Sequence, residues 1–145
     1  MQNKPDLMTS RGWQMVKDKY PHLPTIVRDR IRARDGFTCQ MCNALYHGHL
    51  FGRFETHHFL STTNCRRLRL PKEVMDDPRN LIYLCLDCHI LTYNKKARLK
   101  DPQSSEKFDR LEARKREIGY YEWRKKIELF VPPKRKQLLF LPRYA

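Results

Sequence analysis

With 145 residues and 40% apolar side chains, the chain has material for one hydrophobic core, which argues against a multi-domain assembly. Its 30 lysines and arginines outnumber 16 acidic residues for a formal charge of +14, which disfavours basic partners and points to a polyanion. Nucleic acid is preferred over an anionic membrane surface, because phosphate contacts by Lys and Arg gain from counterion release.

Residues 1–24 are polar and interrupted by Pro5, Pro21 and Pro24, so an N-terminal arm is expected. Met1 to Trp13 lacks a signal-peptide-like apolar stretch, and clusters such as Leu138–Leu141 are too short for a bilayer. A soluble, intracellular protein without a membrane partner is the expectation.

From Thr25, a candidate N-cap, Ile26, Val27 and Ile31 fall on one helical face with arginines around the other, and Asp35-Gly36 should end that helix. Leu50 to His57 roughly alternates large apolar and polar residues, as a half-buried strand does. A basic loop with Arg66, Arg67, Arg69 and Lys72 follows. Asn80 to Cys85 reads as a second strand, and Leu86 to about Arg98 as a helix.

Asp101-Pro102 breaks that helix. Beyond it Phe108, Leu111, Ile118, Tyr120, Trp123, Ile127 and Phe130 recur at helical steps, which predicts one long helix, or two meeting at Gly119. Tyr120, Tyr121 and Trp123 either contact a nucleic acid lying along this helix or pack on the core, and core packing is the expectation. The organisation is an arm at 1–24, a central domain at 25–103, a basic helical extension at 104–131 and a basic tail at 132–145.

Four of the five cysteines form two Cys-x-x-Cys pairs, Cys39/Cys42 and Cys85/Cys88. Each pair presents two thiolates from one tight turn, and two such turns supply the four sulfurs of a tetrahedral structural Zn²⁺ site. A redox pair is the weaker reading, since no thioredoxin-like βαβ pattern surrounds either. Cys65 is left as a free thiol. The chain between the pairs is longer than a simple zinc ribbon allows, so it must leave the knuckle, fold and return.

What that excursion carries is a chemical set in fixed order: Glu55-Thr56-His57-His58, then Asn80-Leu81-Ile82, then Cys85-x-x-Cys88-His89. With the lead-in Arg34-Asp35-Gly36-Phe37-Thr38-Cys39-Gln40-Met41-Cys42, this order resembles the zinc-knuckle branch of the HNH endonucleases. The resemblance covers roughly residues 26 to 95. It implies an α+β protein with a ββα-metal (His-Me finger) nuclease core, stapled by the four-cysteine zinc site and flanked by N-terminal and C-terminal helices.

The resemblance further implies hydrolysis of DNA phosphodiesters to 5′-phosphate and 3′-hydroxyl ends. Such chemistry needs a base for water, a divalent cation for the phosphate and leaving oxygen, and a group that orients the base. By resemblance His58 is the general base, Asn80 the orienting amide, and His57 and His89 the ligands of one catalytic cation. His57 stands where many members carry aspartate. The expected ion is Mg²⁺, although two imidazoles also suit Mn²⁺ or Ni²⁺.

Several residues keep two readings. Arg66, Arg67 and Arg69 either grip phosphates near the cut or form a solvated loop, and Lys134, Arg135 and Lys136 read as a phosphate-binding patch in preference to an import signal. His22, His47 and His49 lack partner spacing and read as solvated turn residues. For the whole chain, the rival function is a non-catalytic zinc-stabilised nucleic-acid-binding module. A zinc deaminase would need a His-x-Glu element and Pro before Cys-x-x-Cys, and Leu84 precedes Cys85. Neither oligomeric state nor DNA target is encoded legibly, although double-strand cutting by one active site would favour pairing into a dimer or larger assembly, or sequential nicks.

Overall fold

The structure, a computed structural model, describes residues 23–47, 53–94, 101–129 and 131. The arm before residue 23, His49, the start of the expected first strand and the patch Lys134, Arg135 and Lys136 lie outside those residues.

Helix α1 spans Thr25–Arg34 and follows Pro24, which takes the N-cap position that the sequence suggested for Thr25. Pro24 has an extended ψ of 142°, and its carbonyl accepts from the amides of Val27 and Arg28, so the first turn closes without a side-chain cap. Ile31 is the buried residue of its apolar stripe.

Two strands, β1 (Phe54–His58) and β2 (Leu81–Cys85), pair antiparallel with Glu55 opposite Leu84, His57 opposite Ile82 and His58 opposite Leu81. Because side chains alternate along a strand, Glu55, His57, Ile82 and Leu84 share one face and Phe54, Thr56, His58, Leu81 and Tyr83 the other. Leu81 to Leu84 are all buried, so β2 is covered on both faces. On one side Leu81 and Tyr83 pack with Ile31 of α1; on the other Ile82 and Leu84 pack with Cys39, Met41, Cys88 and Leu111.

The segment between the strands was expected as a loop and is largely helical. Helix α2 (Thr62–Arg67) is capped by Ser61, whose side chain accepts from the Asn64 amide, and α3 (Lys72–Met75) follows Pro71. A 3₁₀ turn at Pro78–Asn80 leads into β2, so Asn80 sits in a turn and not at the start of the strand. These short helices exist because Leu60, Cys65, Leu68 and Met75 bury themselves against Tyr120, Trp123, Ile127 and Val131.

Helix α4 (Leu86–Leu91) starts directly from β2, with the Cys85 sulfur accepting from the Cys88 amide at its N-terminus. Helices α5 (Pro102–Ile118) and α6 (Tyr120–Glu128) meet at Gly119, whose φ of 84° is the left-handed conformation that ends α5. The protein is therefore mixed α+β, with a two-stranded sheet among the described residues. No helix of those residues is long and apolar enough to cross a membrane.

Candidate metal and catalytic site

The four sulfurs of Cys39, Cys42, Cys85 and Cys88 all lie within 4.8 Å of one another. Local structure explains each position. The first knuckle is a tight turn in which the Cys39 carbonyl accepts from the Asn43 amide and Asn43 takes a left-handed φ of 64°. The Gln40 amide donates to the Tyr83 carbonyl at 3.1 Å, which ties this knuckle to β2. The second knuckle is the β2–α4 junction itself.

A tetrahedral site with Zn–S bonds of about 2.3 Å has sulfur–sulfur edges of about 3.8 Å. Cys42 and Cys85 are separated by 3.8 Å. The four cysteines are thus positioned to hold a metal ion, and both the donor set and its size fit a structural zinc. Without one, the quartet holds little negative charge. The hydrogen bond from Cys88 draws the Cys39 thiol down to about 4 against the opposing effect of burial, with backbone amides assisting. Cys88 is in turn pushed up, first by that same bond to Cys39 and then by burial, and burial pushes Cys85 up to about 11. One anion is favoured at the expense of its neighbours, and a dication removes that conflict.

Across the same sheet face, His57 and His89 approach with ring centroids 5.1 Å apart. Two imidazoles bound to one ion at about 2.1 Å each place their centroids roughly 5 Å apart, so the pair has the spacing for a shared cation. His57 is buried, whereas the His89 side chain is 15% exposed. Glu55, two residues before His57 on the same face, joins its Oε2 to His89 Nδ1 and its Oε1 to Arg53 Nε at 3.0 Å. The Tyr93 hydroxyl lies 3.0 Å from His89 Nε2. Among the described residues, the cysteine quartet alone draws three or more potential ligands within 4.8 Å.

His58 faces the other way. Its Nε2 lies 2.9 Å from Asp76 Oδ1 at the end of α3. Adjacent strand residues point to opposite faces, so His57 and His58 serve two different neighbourhoods.

No family model, curated protein or solved structure matches the chain.

Asn80 organises much of the site. Fully buried, Asn80 accepts from the Leu60 amide at 2.8 Å through Oδ1, and its Nδ2 donates to the carbonyls of Leu60 at 3.2 Å and Met75 at 2.9 Å. It joins the exit of β1 to the end of α3. Asp35 does similar work for the frame. Its buried carboxylate accepts from Arg34, Arg114 and the Tyr83 amide, linking α1, α5 and β2.

Of the remaining sequence candidates, Arg66, Arg67 and Arg69 are exposed around the end of α2. Cys65 is fully buried, and burial pushes its thiol up to about 12, which makes it unreactive. Glu55, Asp76 and Asp35 carried no role in the sequence. Period-two alternation places Glu55 beside His57; the other two depend on how the chain returns.

Proposed function

We propose that the chain is a metal-dependent endonuclease of the HNH type that hydrolyses DNA phosphodiester bonds, built on a ββα-metal core stapled by zinc at Cys39, Cys42, Cys85 and Cys88. One observation carries this reading: the β1–β2 pair runs directly into α4 and sets His57 and His89 ring to ring at 5.1 Å, with His58 at the strand end and Asn80 clasping that end. A binding module has no need of such an arrangement.

In this mechanism His57 and His89 would hold a divalent cation, Mg²⁺ or a softer ion such as Mn²⁺ or Ni²⁺. When bound there, such an ion would supply Lewis-acid stabilisation of charge on the scissile phosphate and leaving oxygen. His58, as a neutral imidazole, accepts a proton from the water that attacks phosphorus. Asn80 keeps the strand exit, and hence His58, in place. Net charge of +14 supports DNA as the substrate, and the exposed Arg66, Arg67 and Arg69 add positive charge at the surface.

A non-catalytic zinc-stabilised nucleic-acid-binding module is the second reading. What favours it is His89, both of whose ring nitrogens already have protein partners in Glu55 and Tyr93. For the nuclease reading to hold, Glu55 must turn aside or share the ion.

Incubation with supercoiled plasmid, with and without Mg²⁺, Mn²⁺ or Ni²⁺, separates the two. Nicked or linear products that require the cation and carry 5′-phosphates are expected, and His58→Ala should abolish them while zinc content and DNA affinity persist. Binding without cleavage under all three ions would refute the nuclease.

A further inference from the structure

His58 ends β1, and Asp76 caps the C-terminus of α3, 18 residues further along the chain. Asp76 is only 9% exposed, its Oδ1 lies 2.9 Å from His58 Nε2, and its Oδ2 lies 3.7 Å from Lys72 Nζ. An exposed pair of this kind would contribute little orientation, because both side chains would sample many geometries. Here one buried amide fixes both partners. Asn80 holds the Met75 carbonyl, one residue before Asp76, and both main-chain groups of Leu60, two residues after His58. The Asn80 carbonyl also accepts from the Phe59 amide at 2.9 Å, directly beside His58.

We propose that Asp76 is a positioning residue of the hydrolytic site, holding His58 with its proton on Nε2 so that Nδ1 is the basic nitrogen. The inference rests on the reading of His58 as general base. An ionised carboxylate has lone pairs and no donor, so a neutral imidazole facing it must present N–H there, which fixes the tautomer. In the hydrolytic step an O–H bond of water breaks, its proton bonds to Nδ1, and the oxygen forms the new bond to phosphorus. The P–O3′ bond breaks, and the leaving oxygen takes a proton from solvent. The resulting imidazolium faces the Asp76 carboxylate, which stabilises the new charge.

Two measurements on the zinc-loaded full chain test this. In cation-dependent plasmid cleavage, Asp76→Asn should lower kcat by up to about 10,000-fold, the fall that follows when a carboxylate orienting a catalytic histidine becomes an amide. KM for DNA, zinc content and Tm should change little, and Asp76→Glu should recover part of the rate. A purely structural Asp76 would instead move Tm and zinc content together with activity. Separately, long-range ¹⁵N–¹H correlation spectra, at a pH where imidazoles are neutral, should show His58 as the Nε2–H tautomer in the wild type and as a mixture in Asp76→Asn. A wild type that cuts DNA but carries the Nδ1–H tautomer, or Asp76→Asn cutting at the wild-type kcat, overturns the assignment of Asp76 alone. A wild type that never cuts but shows the Nε2–H tautomer overturns the nuclease reading and leaves the orientation of His58 by Asp76 standing.

Discussion

Asn80 makes three side-chain hydrogen bonds to main-chain groups while being wholly shielded from water. Truncation to alanine would strand the Leu60 amide and the carbonyls of Leu60 and Met75, each at a cost of about 1–3 kcal/mol, partly relieved by relaxation. Asn80→Ala is therefore expected to lose about 3 kcal/mol in urea denaturation, with the m-value nearly unchanged. A loss below about 0.5 kcal/mol would show that the clasp is not structural. At this scale the sequence was informative wherever chemistry sits at short, fixed spacing. Cys39 and Cys42, or His57 and His58, are neighbours whatever the fold does. Asp76 and Asp35 were illegible as site residues, because their partners are set by the path of intervening chain: His58 is 18 positions from Asp76, and Arg114 is 79 from Asp35.

The junction of α5 and α6 turns on the backbone of Gly119. Its φ of 84° is costly for any residue with a Cβ, and an added methyl would also touch Arg79 Cδ at 3.4 Å. Gly119→Ala should lower stability by about 1–2 kcal/mol, read as a fall in Tm. An unchanged Tm would mean that the two helices can meet in another geometry. This break was visible in the sequence, as were both strands, because a lone glycine in a helical pattern, alternation in β1 and a short β-prone apolar run in β2 are local signals. Helices α2 and α3 were not. They span 6 and 4 residues, too short for a helical period to appear, and they hold together by burying Cys65, Leu68 and Met75 beneath α6. No propensity within 62–75 reveals that Tyr120 and Trp123 will cover it. The same interlocking makes α5 and α6 part of the core that supports the site, since Leu111 packs on the knuckles and Tyr120 beside Phe59.

For the molecule as a whole, two charges dominate. If the surplus of +14 serves the DNA binding proposed above, affinity should fall linearly on a log–log plot of binding constant against salt, with a slope of about −0.9 per phosphate contacted. A slope near zero would remove nucleic acid from consideration. The second is the charge that a metal ion would bring to the four sulfurs, where folding and pH become linked. Without metal, Cys85 and Cys88 are held above the ordinary thiol range, so both are protonated at neutral pH, whereas ligands to zinc must be thiolates. Loading zinc should release at least about two protons, and acid should drive the metal off as those thiols are reprotonated. The quartet joins the first knuckle to the β2–α4 junction and shares a core with Ile82, Leu84 and Leu111, so losing the ion exposes the frame behind His57 and His89. Structural zinc contributes on the order of 10 kcal/mol, comparable with the net stability of a small domain. Chelator treatment at neutral pH is thus expected to release one equivalent of zinc in step with loss of the cooperative thermal transition and, through the collapse of the β2–α4 junction, of DNA cleavage. Zinc lost with the transition intact would mean that the apolar contacts of the knuckles suffice to hold the fold without metal.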